Sequence, residues 1–303
     1  YSYNLLVITI FTMPIIILFK INKIKKIFSI LSYLSIVFIF YIYGNYEINK
    51  NKKILQTEKE KVNVKIISPN FDLEYGLSTD EIETRFKKLI RYSNPDKKKK
   101  TLFIWPEGVF SGYSYDQILI FKKLIFQNFS KEHYIIFGTN TLNPISQDYF
   151  NSMIIVNNNF DIIQSYNKRK LVPFGEFLPL ENILNKFGFK KITEGHGSFL
   201  KGQMDNNLII ENLSILPLIC YEVIFSDLIQ KSDNNTNLIV NISEDGWFGN
   251  SIGPDQHFAK SIFRAIENNT FLVRATNRGV SAIIDNKGNI IKKLNRNEAG
   301  NIE

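Results

Sequence analysis

The stretch ILPLICYE at residues 215–222 places the only cysteine of the chain, Cys220, directly after a short apolar run. An apolar run of this length is typical of a buried strand in an α/β sheet. One cysteine excludes an intramolecular disulfide and any zinc site built from several cysteines. Without its context, a cysteine that ends such a strand is usually an inert core residue.

Two further segments also carry a chemically active residue at or just beyond an apolar strand. LFIWPE at residues 102–107 ends on Glu107, and YNKRKLVPFGE at residues 166–176 begins with Tyr-Asn-Lys168. Considered separately, Glu107 is expected to be a turn residue and Lys168 a solvated side chain. Ligands of α/β proteins usually bind at the carboxyl ends of strands. The shared placement therefore makes Glu107, Lys168 and Cys220 candidates for one site.

Strands alternate with helices on both sides of these segments, which predicts a layered α/β domain. We expect amphipathic helices at residues 79–92, 116–128 and 255–268. Runs rich in β-branched and aromatic residues predict strands, at residues 62–67, 102–105, 134–138, 152–156, 160–165, 215–220, 238–242, 271–276 and 281–285.

Together the three segments resemble the carbon–nitrogen hydrolase (nitrilase) superfamily, over about residues 62–290. The resemblance implies a four-layer αββα nitrilase-like sandwich. Within the superfamily, four stretches are similar to the apolipoprotein N-acyltransferase branch. The membrane helices that we expect before the domain are a further similarity to this branch. These stretches are LVPFGEFLPL at 171–180, DGWFG at 245–249, SIGPDQH at 251–257 and ATNRG at 275–279.

The resemblance implies a catalytic triad of Glu107, Lys168 and Cys220. A free thiol has a pKa of about 8.5, so it needs a base or a cation to react at neutral pH. Glu107 is expected to accept and return protons, and Lys168 to stabilise the thiolate and the oxyanion.

Three neighbours of the triad, Glu176, Glu222 and Tyr221, are expected to orient it; the two glutamates resemble the carboxylates that orient the lysine in the family. The chemistry needs no histidine, and we expect a structural role for the three in the chain: His133, His196 and His257.

Two apolar groups are candidates for the entrance of an acyl chain. Trp247 and Phe248 follow a strand, and Phe177 and Leu178 open a segment, residues 177–189, that is rich in large apolar residues. The segment is expected to be a lid that dips into a membrane interface. The alternatives are ordinary core packing for the first pair and a core helix for the segment.

Residues 1–19 and 27–46 contain no charged side chain, and about 20 residues span the hydrocarbon core of a bilayer. We expect two transmembrane helices in residues 1–46, a linker at 47–61 and the catalytic domain at 62–303. A signal peptide fits poorly because there are two runs and no cleavage site, and a pair of core helices is the other alternative. The chain is expected to be a fragment, with two helices left of a larger membrane domain.

The loop at residues 20–26 contains four lysines, so the positive-inside rule places it in the cytoplasm. The catalytic domain is then expected on the periplasmic side of the bacterial inner membrane. The net charge of +8 is spread over separate lysine clusters without a nucleic-acid fold signature, and we expect no nucleic-acid partner.

The resemblance implies a monomeric acyltransferase with a phospholipid acyl donor, a diacylglyceryl apolipoprotein acceptor and membrane lipids around it. No metal and no organic cofactor are implied. Two alternatives stay open: a carbon–nitrogen hydrolase that acts on a small amide, and a catalytically inactive, membrane-tethered binding protein.

Overall fold

The computed structural model describes residues 2–50, 62–181, 186, 188, 198–203, 207–230 and 236–303. The chain divides into two compact units, Tyr1–Glu58 and Lys59–Glu303. The lid expected at residues 177–189 and the linker at 47–61 lie only partly within the described residues, and His196 lies outside them.

The first unit contains helix α1 (Ser2–Thr12), a 3₁₀ turn (Met13–Ile17) and helix α2 (Lys23–Lys50). Among the described residues, one helix is long and apolar enough to cross a membrane, Lys23–Asn49, with a mean hydropathy of 2.0. Within residues 1–19, α1 is followed directly by the 3₁₀ turn, and the apolar helical stretch there, Leu6–Ile16, is shorter than Lys23–Asn49. Pro14 lies at the start of the 3₁₀ turn, where a helix tolerates its missing N–H.

The second unit is an α/β domain whose described residues form twelve strands and five α-helices. The strands are β1 (Asn63–Ser68), β2 (Thr101–Ile104), β3 (His133–Leu142), β4 (Tyr149–Val156), β5 (Ile162–Asn167), β6 (Leu208–Ile210), β7 (Leu213–Ile219), β8 (Leu238–Glu244), β9 (Phe271–Asn277), β10 (Ser281–Ile284), β11 (Ile290–Leu294) and β12 (Gly300–Ile302). The helices are α3 (Thr79–Ser93), α4 (Tyr115–Ile118), α5 (Lys122–Asn128), α6 (Asp227–Gln230) and α7 (Gly253–Asn268).

The strands form two six-stranded sheets, in the orders β12-β1-β2-β3-β4-β5 and β11-β10-β9-β8-β7-β6. The central pairs β1–β2, β2–β3, β7–β8 and β8–β9 are parallel. Pro217 lies in β7 beyond the residues that pair with β6, so its missing N–H falls where β7 has only β8 as a neighbour.

The alternation of side chains along each strand fills three apolar cores. In β2 and the residue after it, Leu102 and Ile104 pack between the sheets, whereas Phe103 and Trp105 pack against helices of the first sheet's outer face. A third core joins the outer face of the second sheet to α6 and α7. Three cores separate four layers, so the αββα sandwich is confirmed.

The predicted elements differ from the structure in several places. The helix expected at 116–128 is interrupted by a 3₁₀ turn at Leu119–Phe121, although Ile118, Phe121 and Ile125 still share one buried face. The short edge strands β6, β11 and β12 were not predicted. They are three to five residues long, and β11 is largely exposed, so they carry little apolar pattern.

A buried ion pair lies under the carboxyl end of the second sheet. Arg274 of β9 donates through Nη2 to Oδ2 of Asp245 at 2.8 Å, and both side chains are fully buried. Burial alone would raise the pKa of Asp245, but the Arg274 guanidinium, the His257 ring at 3.0 Å and a hydrogen bond from Ser243 lower it to about 2. The pair therefore stabilises the fold above the ordinary carboxyl pKa of 3.8, and this contribution is lost as the pH falls through about 2.

We predict that Asp245→Asn lowers the free energy of unfolding by about 3–5 kcal/mol at pH 7, because it leaves the Arg274 charge buried without its partner. The measurement is urea unfolding of the intact protein in detergent at pH 7, 5 and 3. The deficit should be similar at pH 7 and 5 and smaller at pH 3. The exposed control Asp148→Asn should change stability by less than about 0.5 kcal/mol. A deficit no larger than that of the control would contradict the prediction.

Candidate active site

A pocket of about 730 Å³ opens at the carboxyl ends of strands from both sheets. Its lining includes Glu107, which follows β2, Lys168, which follows β5, and Cys220, which follows β7. The structure thus brings the three residues of the expected triad to one cavity. A volume of this size is typical of small-molecule sites.

Glu107 is held by donors from both sheets. Its Oε1 accepts from Asn151 Nδ2 at 2.8 Å and lies 3.5 Å from Lys168 Nζ, while its Oε2 accepts from the Glu244 backbone N–H at 3.2 Å. Gly138 on β3 leaves the necessary space, because a Cβ there would lie 2.9 Å from Glu107 Cα. The carboxylate is therefore fixed in position with one edge toward the pocket.

Lys168 is a buried cation, with only 1% of its side chain exposed. Its Nζ donates to Glu176 Oε1 at 2.7 Å and lies 3.5 Å from Glu107 Oε1. Burial alone would lower the pKa of Lys168, but the Glu107 and Glu176 carboxylates raise it well above its ordinary value. The lysine is charged throughout the physiological pH range.

Glu176 lies at the end of the loop that follows Lys168 and contacts both that loop and the lysine. Its Oε2 accepts from the Val172 backbone N–H at 2.9 Å, and its Oε1 accepts from both Lys168 and Asn151, the latter at 2.7 Å. Asn151 Nδ2 therefore donates to both glutamates, and Lys168 is adjacent to both. The expectation that Glu176 orients Lys168 agrees with this direct contact.

Cys220 occupies a strained turn between β7 and a 3₁₀ helix (Cys220–Ile224), with a backbone φ of 46°. A left-handed conformation at a non-glycine residue costs on the order of 1 kcal/mol and is frequent at functional sites. Burial and the Glu107 charge raise the pKa of the Cys220 thiol, whereas Lys168 and a hydrogen bond with Ser243 lower it. The resting cysteine is a thiol, with a base and a cation in its surroundings.

Glu222 contacts backbone rather than Lys168. Its Oε1 accepts from the Arg169 N–H at 2.7 Å, the Lys170 N–H at 3.1 Å and the Tyr166 hydroxyl at 2.8 Å. Its Oε2 accepts from the Ile219 N–H at 2.9 Å. It therefore ties the turn that carries Cys220 to the turn that carries Lys168, and its interaction with the Lys168 charge is electrostatic, without a hydrogen bond between the two side chains. Burial raises the pKa of Glu222.

The candidate entrance residues divide into two groups. Trp247 and Phe248 line the pocket and are 45% and 38% exposed, and Tyr221 lines it as well. Phe177 and Leu178 are not among the described lining residues, and Leu178 is buried in the protein. Leu180, in the described part of that segment, and Phe174, just before it, are exposed apolar side chains.

Three residues near the site were not predicted to have a role there: Asn151, Glu244 and His257. Asn151 lies within β4, where an isolated asparagine gives no local signal. Both carboxylate oxygens of Glu244 accept N–H bonds, from Gly246 at 2.8 Å and Asn277 at 2.7 Å. Burial raises the pKa of Glu244 to about 8. His257 contacts the Cys220 backbone.

The arrangement can perform nucleophilic substitution at a carbonyl group. A thiol, a carboxylate base and a buried ammonium group share one cavity, and these supply the nucleophile, the proton acceptor and the charge for an oxyanion. Within the described parts of the chain, no cluster of three or more His, Cys, Asp or Glu side chains has the arrangement of a metal site.

The chain is similar to bacterial proteins that are named apolipoprotein N-acyltransferase. The protein from Rhodopseudomonas palustris is 34% identical over 254 residues, which is 78% of this chain and 46% of that protein. The protein from Rickettsia prowazekii is 42% identical over 159 residues, 52% of this chain and 31% of that protein. The chain thus spans half or less of the length of these relatives.

A solved structure of a carbon–nitrogen hydrolase from Helicobacter pylori has a TM-score of 0.58 and 13% identity, and the match covers 80% of this chain and 89% of that one. This likeness concerns the fold. The family model described as carbon-nitrogen hydrolase matches residues 78–302, which include all three strand ends that meet at the pocket. The chain belongs to the carbon–nitrogen hydrolase family, of the nitrilase superfamily.

Proposed function

We propose that this chain carries the catalytic domain of an acyltransferase that N-acylates bacterial lipoproteins through a Cys220 thioester. The observation that carries the proposal is the cluster of the buried Lys168 with the partly buried Glu107 and Cys220, in a pocket whose lining includes the half-exposed Trp247 and Phe248. Similarity to proteins named apolipoprotein N-acyltransferase supports the choice of a lipid donor and a lipoprotein acceptor.

In the first half-reaction, the Cys220 sulfur attacks the carbonyl carbon of a phospholipid ester while Glu107 takes the thiol proton. The tetrahedral oxyanion forms near Lys168, whose ammonium stabilises it. The C–O bond then breaks, and Glu107 returns the proton to the departing oxygen. The products are a lysophospholipid and an acyl thioester on Cys220.

In the second half-reaction, the free α-amino group of a diacylglyceryl-cysteine attacks the thioester carbonyl. Glu107 accepts a proton from the amine, and the C–S bond breaks as the amide forms. The proton then passes to the sulfur, which restores the thiol. Glu107 mediates every proton transfer in both half-reactions, and the proposal includes no cofactor.

The aromatic lining of the pocket supports a transferase over a hydrolase. Trp247 lies with its ring centroid 6.0 Å from that of Tyr75, and both side chains line the pocket. An acyl chain held against such aromatic groups would displace water from the thioester. Exclusion of water would allow the intermediate to wait for an amine.

We predict that phospholipid alone produces an acyl adduct on Cys220 and that a diacylglyceryl-cysteine peptide then removes it as an N-acyl product. Intact-protein mass spectrometry, followed by neutral hydroxylamine, detects the adduct, and a radiolabelled acyl chain follows its transfer. Cys220→Ala should form no adduct, and Glu107→Gln should form it at least about 100-fold more slowly, because the general base is lost. Glu211→Gln, which lies outside the pocket lining, serves as the matched control.

Release of free fatty acid without an adduct or an N-acylated peptide would favour the hydrolase and contradict the transferase. Binding of phospholipid without release, adduct or product would favour the inactive binding protein.

We also predict that the catalytic domain faces the periplasm. The motivation is the group of lysines at residues 20–26 beside the apolar helix Lys23–Asn49. Two kinds of reporter enzyme are fused after residue 60. The kind that works only outside the cytoplasm should be active, and the kind that works only in the cytoplasm should be inactive. Replacing the four lysines with glutamine should weaken this bias, and glutamine in place of Lys97–Lys100 is the control. Activity of a cytoplasmic reporter at the same fusion point would contradict the orientation.

A further inference from the structure

Of the two histidines that the structure describes, His257 is the one that contacts the nucleophile. It lies on α7, is 5% exposed and lines the catalytic pocket. Its Nε2 lies 3.0 Å from the backbone carbonyl oxygen of Cys220, and its ring packs at 5.5 Å from that of Phe248. No local pattern connects it with the cysteine, which is 37 residues away.

The contacts of the imidazole decide which nitrogen carries the proton. A carbonyl oxygen can only accept a hydrogen bond, so Nε2 is the protonated nitrogen. Nδ1 lies 3.0 Å from both Arg274 Nη2, which can only donate, and Asp245 Oδ1, which can only accept. It accepts from Arg274 when the ring is neutral and donates to Asp245 when the ring is charged, and in both states Nε2 carries the proton that faces the Cys220 carbonyl. Burial and the Arg274 charge lower the pKa of His257, which agrees with a neutral ring.

The ring is fixed by partners that are themselves buried. Arg274 Nη2 also donates to Asp245, whose Oδ1 accepts from Ser243 Oγ at 2.7 Å. A second NH2 group of Arg274, Nη1, donates to the side chain of Asn241 on β8. The donor at Nε2 is thus held in place by β8 and β9, independently of the turn that carries Cys220.

That turn needs an external restraint. Cys220 has a left-handed backbone conformation, and the Glu222 carboxylate fixes it on the amino-terminal side through the Ile219 N–H. The bond from His257 fixes the carbonyl of Cys220 itself on the other side. Together the two restraints limit rotation of the Cys220 backbone and therefore the position from which its side chain extends.

We propose that His257 is a positioning residue for the nucleophile, whose Nε2–H bond to the Cys220 carbonyl holds the sulfur in its reactive place. This role deepens the proposed acyl transfer and rests on it for the physiological reaction, although it applies to any electrophile that reaches the sulfur. A displacement of about 1 Å of a reacting group can cost 100-fold in rate.

Two substitutions separate the positioning role from a general structural one. In His257→Gln, the side-chain amide nitrogen can reach the place of Nε2 and donate to the Cys220 carbonyl. In His257→Asn, the shorter side chain places its amide near Nδ1 and leaves that carbonyl without the donor. If His257→Asn does not fold, His257→Met, which has a similar volume and no donor, replaces it.

His133 offers a matched control away from the site. It is 1% exposed, its Nε2 lies 2.9 Å from the Asp96 carbonyl oxygen, and its Nδ1 accepts from the Ser130 N–H at 3.1 Å. The pair His133→Gln and His133→Asn therefore repeats the chemistry of the His257 pair at a position that does not line the pocket.

The experiment measures alkylation of Cys220 by iodoacetamide, together with kcat and KM for acyl transfer, in the intact protein in detergent. We expect His257→Asn to lower the alkylation rate and kcat by about 10-fold to 100-fold with little change in KM, and His257→Gln to stay within about 3-fold of wild type. Both His133 variants should leave these rates unchanged, whatever they do to the melting temperature.

Equal losses in His257→Gln and His257→Asn, or an alkylation rate that is unchanged in His257→Asn, would overturn the positioning role. The two proposals can fail separately. If wild type shows no acyl transfer but the alkylation rates follow the expected order, the acyltransferase assignment fails and the role of His257 stands.

Discussion

The ammonium group of Lys168 lies in a buried space between two carboxylates, and the geometry of the site follows from that arrangement. Removing one cation and two anions from water is costly, and it is tolerated only where the charges are close and their remaining bonding capacity is used. Asn151 meets this requirement, because its amide donates to both Glu107 and Glu176. The four side chains therefore hold one another at fixed separations.

The same cluster connects the two sheets. Glu107, Lys168 and Asn151 belong to the first sheet or to the turns that follow its strands, whereas the backbone N–H that donates to Glu107 belongs to Glu244 of β8. Glu222 extends from the Cys220 turn and binds the backbone beside Lys168. The relative position of the thiol and the cation is thus set by the packing of the sandwich, which close-packed cores keep nearly constant.

A second buried charge pair supports the other half of the site. Arg274 and Asp245 lie beneath the carboxyl end of the second sheet, and His257 extends their network to the Cys220 carbonyl. The cluster around Lys168 supplies the charges near the Cys220 sulfur, and the Arg274–Asp245–His257 network helps to hold the turn that carries it. The loss of either is expected to reduce reactivity, through charge in one case and through position in the other.

The sequence was sufficient for the parts of the site that are encoded locally. Glu107, Lys168 and Cys220 each follow an apolar strand, and strand ends meet in an α/β sandwich, so their convergence could be anticipated. Asn151 and His257 could not, because their roles depend on contacts with residues 25 to 44 positions away that have no local signature. The same reason applies to β12, which pairs with β1 from the opposite end of the domain. Leu178 fits both a lipid-facing and a core position by composition, and only packing showed that it is buried.

The central claim is that the buried Lys168 charge makes the Cys220 thiol reactive. The most direct test is the pH dependence of Cys220 alkylation by iodoacetamide in wild type and in Lys168→Gln, with circular dichroism to verify folding. Burial raises the pKa of the thiol and Lys168 opposes that rise, so its removal should slow alkylation by at least about tenfold throughout pH 7–9. An unchanged rate over this range in a folded Lys168→Gln protein would contradict the account.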